Sequence, residues 1–187
     1  MSIYQPEQDS YLLSETLKKY LNDKIKDKEI NQENQEFKIL DMGSGSGIQA
    51  ETCKRLGFNN IICADINSEA VIQLKKQGFK AVKTDLFSDI NPKTKFDLII
   101  FNPPYLPEDK YDKEKDTTGG ELGCETIISF LEQAKSHLNK NGKILVVFSS
   151  LTPNVDKLLI KYKYKFKKLD EQKLPMFEIL YVYLLFE

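Results

Sequence analysis

The chain has 187 residues, enough for one domain with a substantial core, and 41% are hydrophobic and 29% charged. A net charge of −1 gives no global positive field for nucleic acid, and no apolar run approaches the roughly 20 residues of a bilayer span. Cys53, Cys63 and Cys124 are odd in number and lack a C-x-x-C pair; they argue against a zinc knuckle or disulfide scaffold and fit a reducing cytoplasm, with no resident metal.

Taken in order, DSYLLSETLKKYL carries apolar residues at helical spacing and predicts a helix from Asp9 to Leu21. Asn22 to Glu36 is polar without period and reads as a surface loop. FKILDM predicts a strand, and GSGSG follows it at once. IQAETCKRLG predicts a helix closed by Gly57. NIICADI predicts a second strand, after which Asn67 or Ser68 caps SEAVIQLKKQ, a helix stopped at Gly78. AVKTDLF and FDLIIF predict the third and fourth strands. FNPPY follows, and Tyr111 to Gly123, with Thr117, Thr118, Gly119 and Gly120 at its centre, reads as a loop.

ETIISFLEQAKSHLNK predicts a helix, and Gly142 marks the turn into KILVVFSS, a fifth strand. His137, the only histidine, stands at that helix end, where a surface or helix-terminal role is expected rather than a place in a Ser–His–Asp triad. TPNVDKLLIKYKY predicts a helix with Pro153 in its first turn. KFKKLDEQ and FEILYVYLLF predict a closing β pair. This alternation predicts a single α/β domain over residues 1–187, a mostly parallel sheet with helices on both faces.

Ligands of such sheets bind outside the carboxyl ends of the strands. The residues there are Asp41 with GSGSG, Asp65 with Asn67, Asp85 with Leu86, and Asn102 with PPY. A single strand-end acid is ordinarily a cap or turn residue; three in corresponding positions point to a ligand. GSGIQA, Gly45 to Ala50, also fits the dinucleotide fingerprint, with Asp65 about 20 residues on. A pyridine-nucleotide oxidoreductase therefore stays open. Against it, Asp41 beside the first glycine would repel a pyrophosphate, and Asp85 adds another acid. The acids better suit S-adenosylmethionine, which has positive charge and no phosphate. Gly43 and Gly45 would let the backbone approach its methionine part. Asp41 would face its ammonium side, Asp65 its ribose hydroxyls, and Asp85 with Leu86 its adenine.

Pro103 and Pro104 cannot lie inside a strand ladder, so NPPY reads as a rigid lip on the site. A planar –NH2 is a poor nucleophile because its lone pair is conjugated. The Asn102 side-chain oxygen and the Pro103 carbonyl would each accept one N–H, holding the nitrogen in line and stabilising its growing charge. Pro103 and Pro104 would fix that carbonyl, and Tyr105 would offer a ring face.

D-x-G-x-G-x-G followed by N-P-P-Y resembles class I methyltransferases acting on planar nitrogen. Within them the chain is similar to the HemK/PrmC-like glutamine methyltransferases of translation release factors, in the short archaeal and eukaryotic branch. IYQPEQDSYLL resembles that branch's Y-x-P-x-E-D-[ST] entry segment, with Gln8 where it has Glu; TTGGELGCETIISFL and FEILYVYLLF resemble its later loop, helix and closing strand. TTGG departs from the aromatic residue often found there. The resemblance implies a seven-stranded Rossmann-like sheet with an antiparallel last strand and no extra N-terminal domain. It implies cofactor contacts from Ser10, Asp41, Gly43, Asp65, Asp85, Leu86 and Asn102, and a glutamine amide gripped by Asn102, Pro103, Pro104 and Tyr105. It further implies a class I release factor as substrate and a small zinc-binding activator subunit, paired with the sheet edge expected at AVKTDLF.

The same NPPY grip serves DNA and RNA amino groups. The basic stretch KYKYKFKK, Lys161 to Lys168, reads either as a lysine-and-aromatic platform for RNA or as a helix end running into a strand, with its aromatics inward. A scaffold that keeps the fold without activity is a further alternative.

Overall fold

The computed structural model describes residues 3–30, 36–104 and 124–187, apart from the Met176 side chain. Seven strands form one sheet in the order β3-β2-β1-β4-β5-β7-β6. They are β1 (Ile39–Met42), β2 (Ile61–Asp65), β3 (Lys80–Lys83), β4 (Phe96–Phe101), β5 (Leu138–Ser149), β6 (Lys165–Lys173) and β7 (Ile179–Phe186). Only β7 runs against its neighbours. The helices are α1 (Gln8–Lys26), α2 (Ile48–Arg55), α3 (Ser68–Lys76), α4 (Glu125–Ala134) and α5 (Val155–Lys161).

Strand side chains alternate between faces, so the central strands feed two cores. Leu98 and Ile100 of β4 join Leu13, Leu17 and Leu21 of α1, Cys53 of α2 and Leu74 of α3. Ile99 and Phe101 join Ile127, Phe130 and Leu131 of α4 and Leu159 of α5. These are the two covered faces expected of the alternating pattern, with the antiparallel last strand as well.

Several boundaries differ from expectation. Asn22–Lys26 is helix, not loop, because Ile25 continues the Leu13, Leu17, Leu21 stripe at four-residue spacing and packs on the same core. The strand expected over AVKTDLF stops at Lys83, and Leu86 adopts a left-handed φ of 48°. The helix after residue 124 ends at Ala134, a single 3₁₀ turn holds Lys135–His137, and β5 already begins at Leu138. Gly142 therefore sits in an irregularity of β5, where a Cβ would come within 2.9 Å of the Phe96 carbonyl oxygen. Pro153 lies before the Asn154 cap rather than inside α5. His137 is terminal to the helix but buried, not on the surface. Its ring stacks on Phe87 at 4.6 Å, and Nδ1 lies 3.0 Å from the Thr94 carbonyl.

The Lys161–Lys168 stretch is a helix end running into β6. Its lysines are exposed, Tyr164 is buried, and Tyr162 and Phe166 pack against the second core. The loop expected over Tyr111 to Gly123, including Thr117, Thr118, Gly119 and Gly120, lies outside the described residues, as does Tyr105.

Candidate active site

One cleft of about 390 Å³ opens at the carboxyl ends of β1, β2 and β4, within the usual range for small-molecule sites. Ser10, Asp41, Gly43, Gly45, Asp65, Asp85, Leu86, Asn102, Pro103 and Pro104 all line it. The parallel register explains the convergence. Asp41 stands opposite Cys63 on β2 and Ile100 on β4, so the residues ending these strands reach the same level.

The glycine loop leaves β1 with left-handed backbone, φ 61° at Gly43 and 49° at Gly45, conformations that favour glycine. Asp65 anchors it. Its Oδ2 accepts from the Gly45 N–H at 2.7 Å and its Oδ1 from the Asn67 N–H at 2.8 Å. The Asn67 side chain caps α3 by accepting from the Glu69 N–H at 2.9 Å. Asp41 is buried, and its Oδ2 accepts from the Ala50 N–H at 3.2 Å in the first turn of α2. Burial pushes its carboxyl up to about 7; the Ala50 bond opposes the shift and the Asp65 charge adds to it. Thr84 donates to the Leu86 carbonyl at 3.0 Å, holding the turn that brings Asp85 and Leu86 to the cleft.

The segment before and into α1 forms the remaining wall. Sequence reading singled out Ser10 there but missed Tyr4, Asp9 and, across the cleft, Gln49 and Ile66. Ile66 is 56% exposed and follows Asp65 directly, so an apolar residue after a strand-end acid was the available signal. Tyr4 donates to the Asp9 carboxylate at 3.0 Å. Asn102 Nδ2 donates to Ser10 Oγ at 3.3 Å, and Gln49 Nε2 donates to the Ser10 carbonyl at 2.9 Å. Among the described residues, two buried side-chain polar atoms lack a partner: Asn102 Oδ1 and Gln49 Oε1, both belonging to cleft residues.

These features test what the cleft can hold. Glu7, Asp9, Asp41, Asp65 and Asp85 line it, and no described lysine or arginine does. That field disfavours a pyrophosphate and fits a cationic ligand with hydroxyl and amine donors. Ile66 and Leu86 add apolar surface for a ring. S-adenosylmethionine fits this donor set, and the two orphaned amide oxygens are ready acceptors for N–H groups. No cluster of metal-ligating side chains occurs among the described residues.

Residues 28–174 match the family described as Methyltransferase small domain. A Methanocaldococcus jannaschii relative, provisionally named a protein N5-glutamine methyltransferase, is 33% identical over 162 residues, covering 80% of this chain and 74% of that protein. The release factor glutamine methyltransferase of Rhodopirellula baltica is 27% identical over 151 residues, covering 70% of this chain; the chain spans about half of that protein, 51%. The E. cuniculi Mtq2–Trm112 complex, described as methylating the eRF1 translation termination factor, contains a chain with TM-score 0.74 and 25% identity. The match covers 99% of this chain and 98% of that one.

Proposed function

The chain belongs to the methyltransferase small domain family, and we propose that it methylates the side-chain amide nitrogen of the glutamine in the Gly-Gly-Gln loop of a class I translation release factor. The observation that carries this reading is the orphaned Asn102 Oδ1, buried at the end of β4 and directly before Pro103 and Pro104.

S-adenosylmethionine, when bound, supplies an electrophilic methyl on its sulfonium. Asp65 would hold the ribose hydroxyls and Asp85 the adenine amine, with Leu86 and Ile66 beside the ring. Asp41 would face the ammonium side, and Gly43 and Gly45 would admit the methionine backbone. At the acceptor, Asn102 Oδ1 and the Pro103 carbonyl each take one N–H of the planar amide. This would turn the nitrogen lone pair toward the cleft and stabilise its positive charge until the extra proton passes to solvent water. Tyr105, outside the described residues, would offer a ring face to the amide, and residues 1–187 act as one catalytic domain in this reading.

Glutamine is favoured over a nucleic-acid base by reach and charge. A glutamine on a glycine loop enters a narrow cleft without a large reading surface. A duplex base must be flipped out, at a cost of about a few kcal/mol normally offset by phosphate contacts. The inward Tyr164 leaves the Lys161–Lys168 stretch poorly suited to stacking bases.

A small activator subunit completes the reading. The relatives' Mtq2–Trm112 pairing and the open edge at β3 support it, with any zinc held by that partner. The three free buried cysteines support a cytoplasmic setting; among the described residues no helix is long and apolar enough to cross a membrane.

The test is to incubate the enzyme and labelled cofactor with wild-type release factor, with a variant whose loop glutamine is alanine, and with total RNA. A single-methyl gain on the loop peptide that depends on the glutamine is expected. Equal labelling of both proteins, or label in RNA alone, would overturn the assignment.

A further inference from the structure

The Gln49 side chain is held at one end only. It leaves the first turn of α2 and is 4% exposed. Its Nε2 donates to the Ser10 carbonyl at 2.9 Å. A carbonyl oxygen only accepts, so the amide cannot turn over without setting oxygen against oxygen. Oε1 is therefore the end left over, and among the described residues no donor reaches it.

A buried acceptor without a donor destabilises the fold, so its presence in the wall of a cleft asks for a use. An amide oxygen can recognise only a donor. S-adenosylmethionine brings three kinds: ribose hydroxyls, an adenine amine and an ammonium. The hydroxyls have Asp65 and the amine has Asp85. The two N–H groups of the methyl acceptor have Asn102 and Pro103. The ammonium carries three N–H groups and has been given Asp41 alone, whose Oδ2 already takes the Ala50 N–H at 3.2 Å. That same bond sets the Asp41 carboxylate against the residue that follows Gln49, so the free acceptor stands at the Asp41 end of the cleft.

We infer that Gln49 is a cofactor-binding residue whose Oε1 accepts an N–H from the ammonium group of S-adenosylmethionine beside Asp41, so that the site recognises the amino-acid end of the cofactor through a neutral amide as well as a carboxylate. This role rests on the cofactor placement proposed above and is independent of the methyl acceptor. The Ser10 carbonyl, in the first turn of α1, holds the amide with its oxygen outward.

Two ligands test this by calorimetric titration without any methyl acceptor. One is S-adenosylhomocysteine. The other is its deaminated analogue, which keeps the carboxylate, ribose and adenine but has no ammonium. Gln49→Met keeps the length of the side chain and removes the acceptor. It should weaken S-adenosylhomocysteine roughly tenfold or more, the scale of a hydrogen bond to a charged group, and leave the deaminated analogue within about twofold. Comparing the two ligands within one variant cancels any general damage to the cleft. Gln49→Ala, which removes the whole amide, should narrow the preference between the ligands by the same factor.

Equal losses for both ligands, or S-adenosylhomocysteine affinity within about twofold of wild type, would overturn the role of Gln49 and leave the methyltransferase reading untouched. A lowered melting temperature with unchanged preference would make the amide a structural tie between α1 and α2, which overturns it as well. If wild type binds neither ligand, the cofactor placement fails and takes Gln49 with it. If the preference narrows as expected but no release factor is labelled, the substrate assignment fails and Gln49 stands.

Discussion

The Gly45 N–H donates to Asp65 Oδ2 across 2.7 Å, so the acid that ends β2 holds the glycine loop that leaves β1. One carboxylate thus fixes the loop and faces the cleft. Its other oxygen takes the Asn67 N–H at 2.8 Å. Asp65→Ala should therefore do two things. Cofactor affinity should fall by ~1.5–3 kcal/mol, the scale of bonds to a charged group, and the melting temperature should fall because two backbone donors lose their acceptor. Calorimetric titration with S-adenosylmethionine and a thermal melt check the pair. Unchanged affinity with a lowered melt would leave Asp65 a purely structural residue.

Asn102→Ala should leave the melt nearly unchanged and lower kcat by roughly 10²–10³, the usual effect of removing one preorganised polar partner from a reacting centre. Some cofactor affinity should go with it, since Asn102 lines the same cleft. Single-turnover transfer at saturating cofactor isolates the chemical step. A loss confined to KM would mean that Asn102 binds substrate and transition state equally.

Asp41 gives a pH dependence with a definite sign. Its carboxyl is buried and titrates at about 7, above the ordinary 3.8. The folded state binds this proton more tightly than the unfolded chain, so the associated stability is full below pH ~4 and is lost as pH rises through about 7. In the limit that amounts to ~4 kcal/mol. Asp41→Asn keeps an acceptor for the Ala50 N–H and should flatten this part of the stability profile between pH 5 and 8. Cofactor binding should show the opposite trend. A cation beside the carboxylate favours ionisation, so wild-type affinity should rise from pH 6 to 8 and the variant's should not. Denaturant melts and titrations at three pH values read both.

Much of this site was legible because it depends on strand ends. In a parallel sheet, the residue after each apolar run faces the same crevice, so Asp41, Asp65, Asp85 and Asn102 could be placed together by counting. The charge of the set then chose the ligand. What could not be read is the bond between Ser10 and Asn102, 92 residues apart, which the fold and not the chain order brings near. Local readings failed where tertiary packing decided. Asn22–Lys26 looks polar, but Ile25 carries the α1 stripe one turn further. LNKNG looks like a helix stop, but Leu138 already pairs with Phe96. Leu86 gives no hint of its left-handed backbone, which the Thr84 hydroxyl helps to hold.

The open edge of the sheet leads to a last expectation. Among the described residues β3 lies at the end of the strand order and pairs only with β2, so one row of its backbone groups has no strand partner there. Exposed Lys80 and Lys83 flank it, a common guard against indiscriminate pairing, while Val82 is half-buried. Beside it, α3 leaves Ile72 54% exposed. A partner that adds a strand to β3 and covers Ile72 would bury both features. The chain expressed alone should be weakly active or poorly soluble, and co-expression with a small activator subunit should correct this. Val82→Pro, which prevents regular pairing at the edge, and Ile72→Asp, which puts charge in the covered patch, should each reduce co-purification at least tenfold. Any residual activity of the isolated chain should change little, because neither residue lines the cleft. Size-exclusion chromatography with light scattering reads the complex directly. A well-behaved, fully active isolated chain, or a complex indifferent to both substitutions, would place the partner elsewhere or remove it.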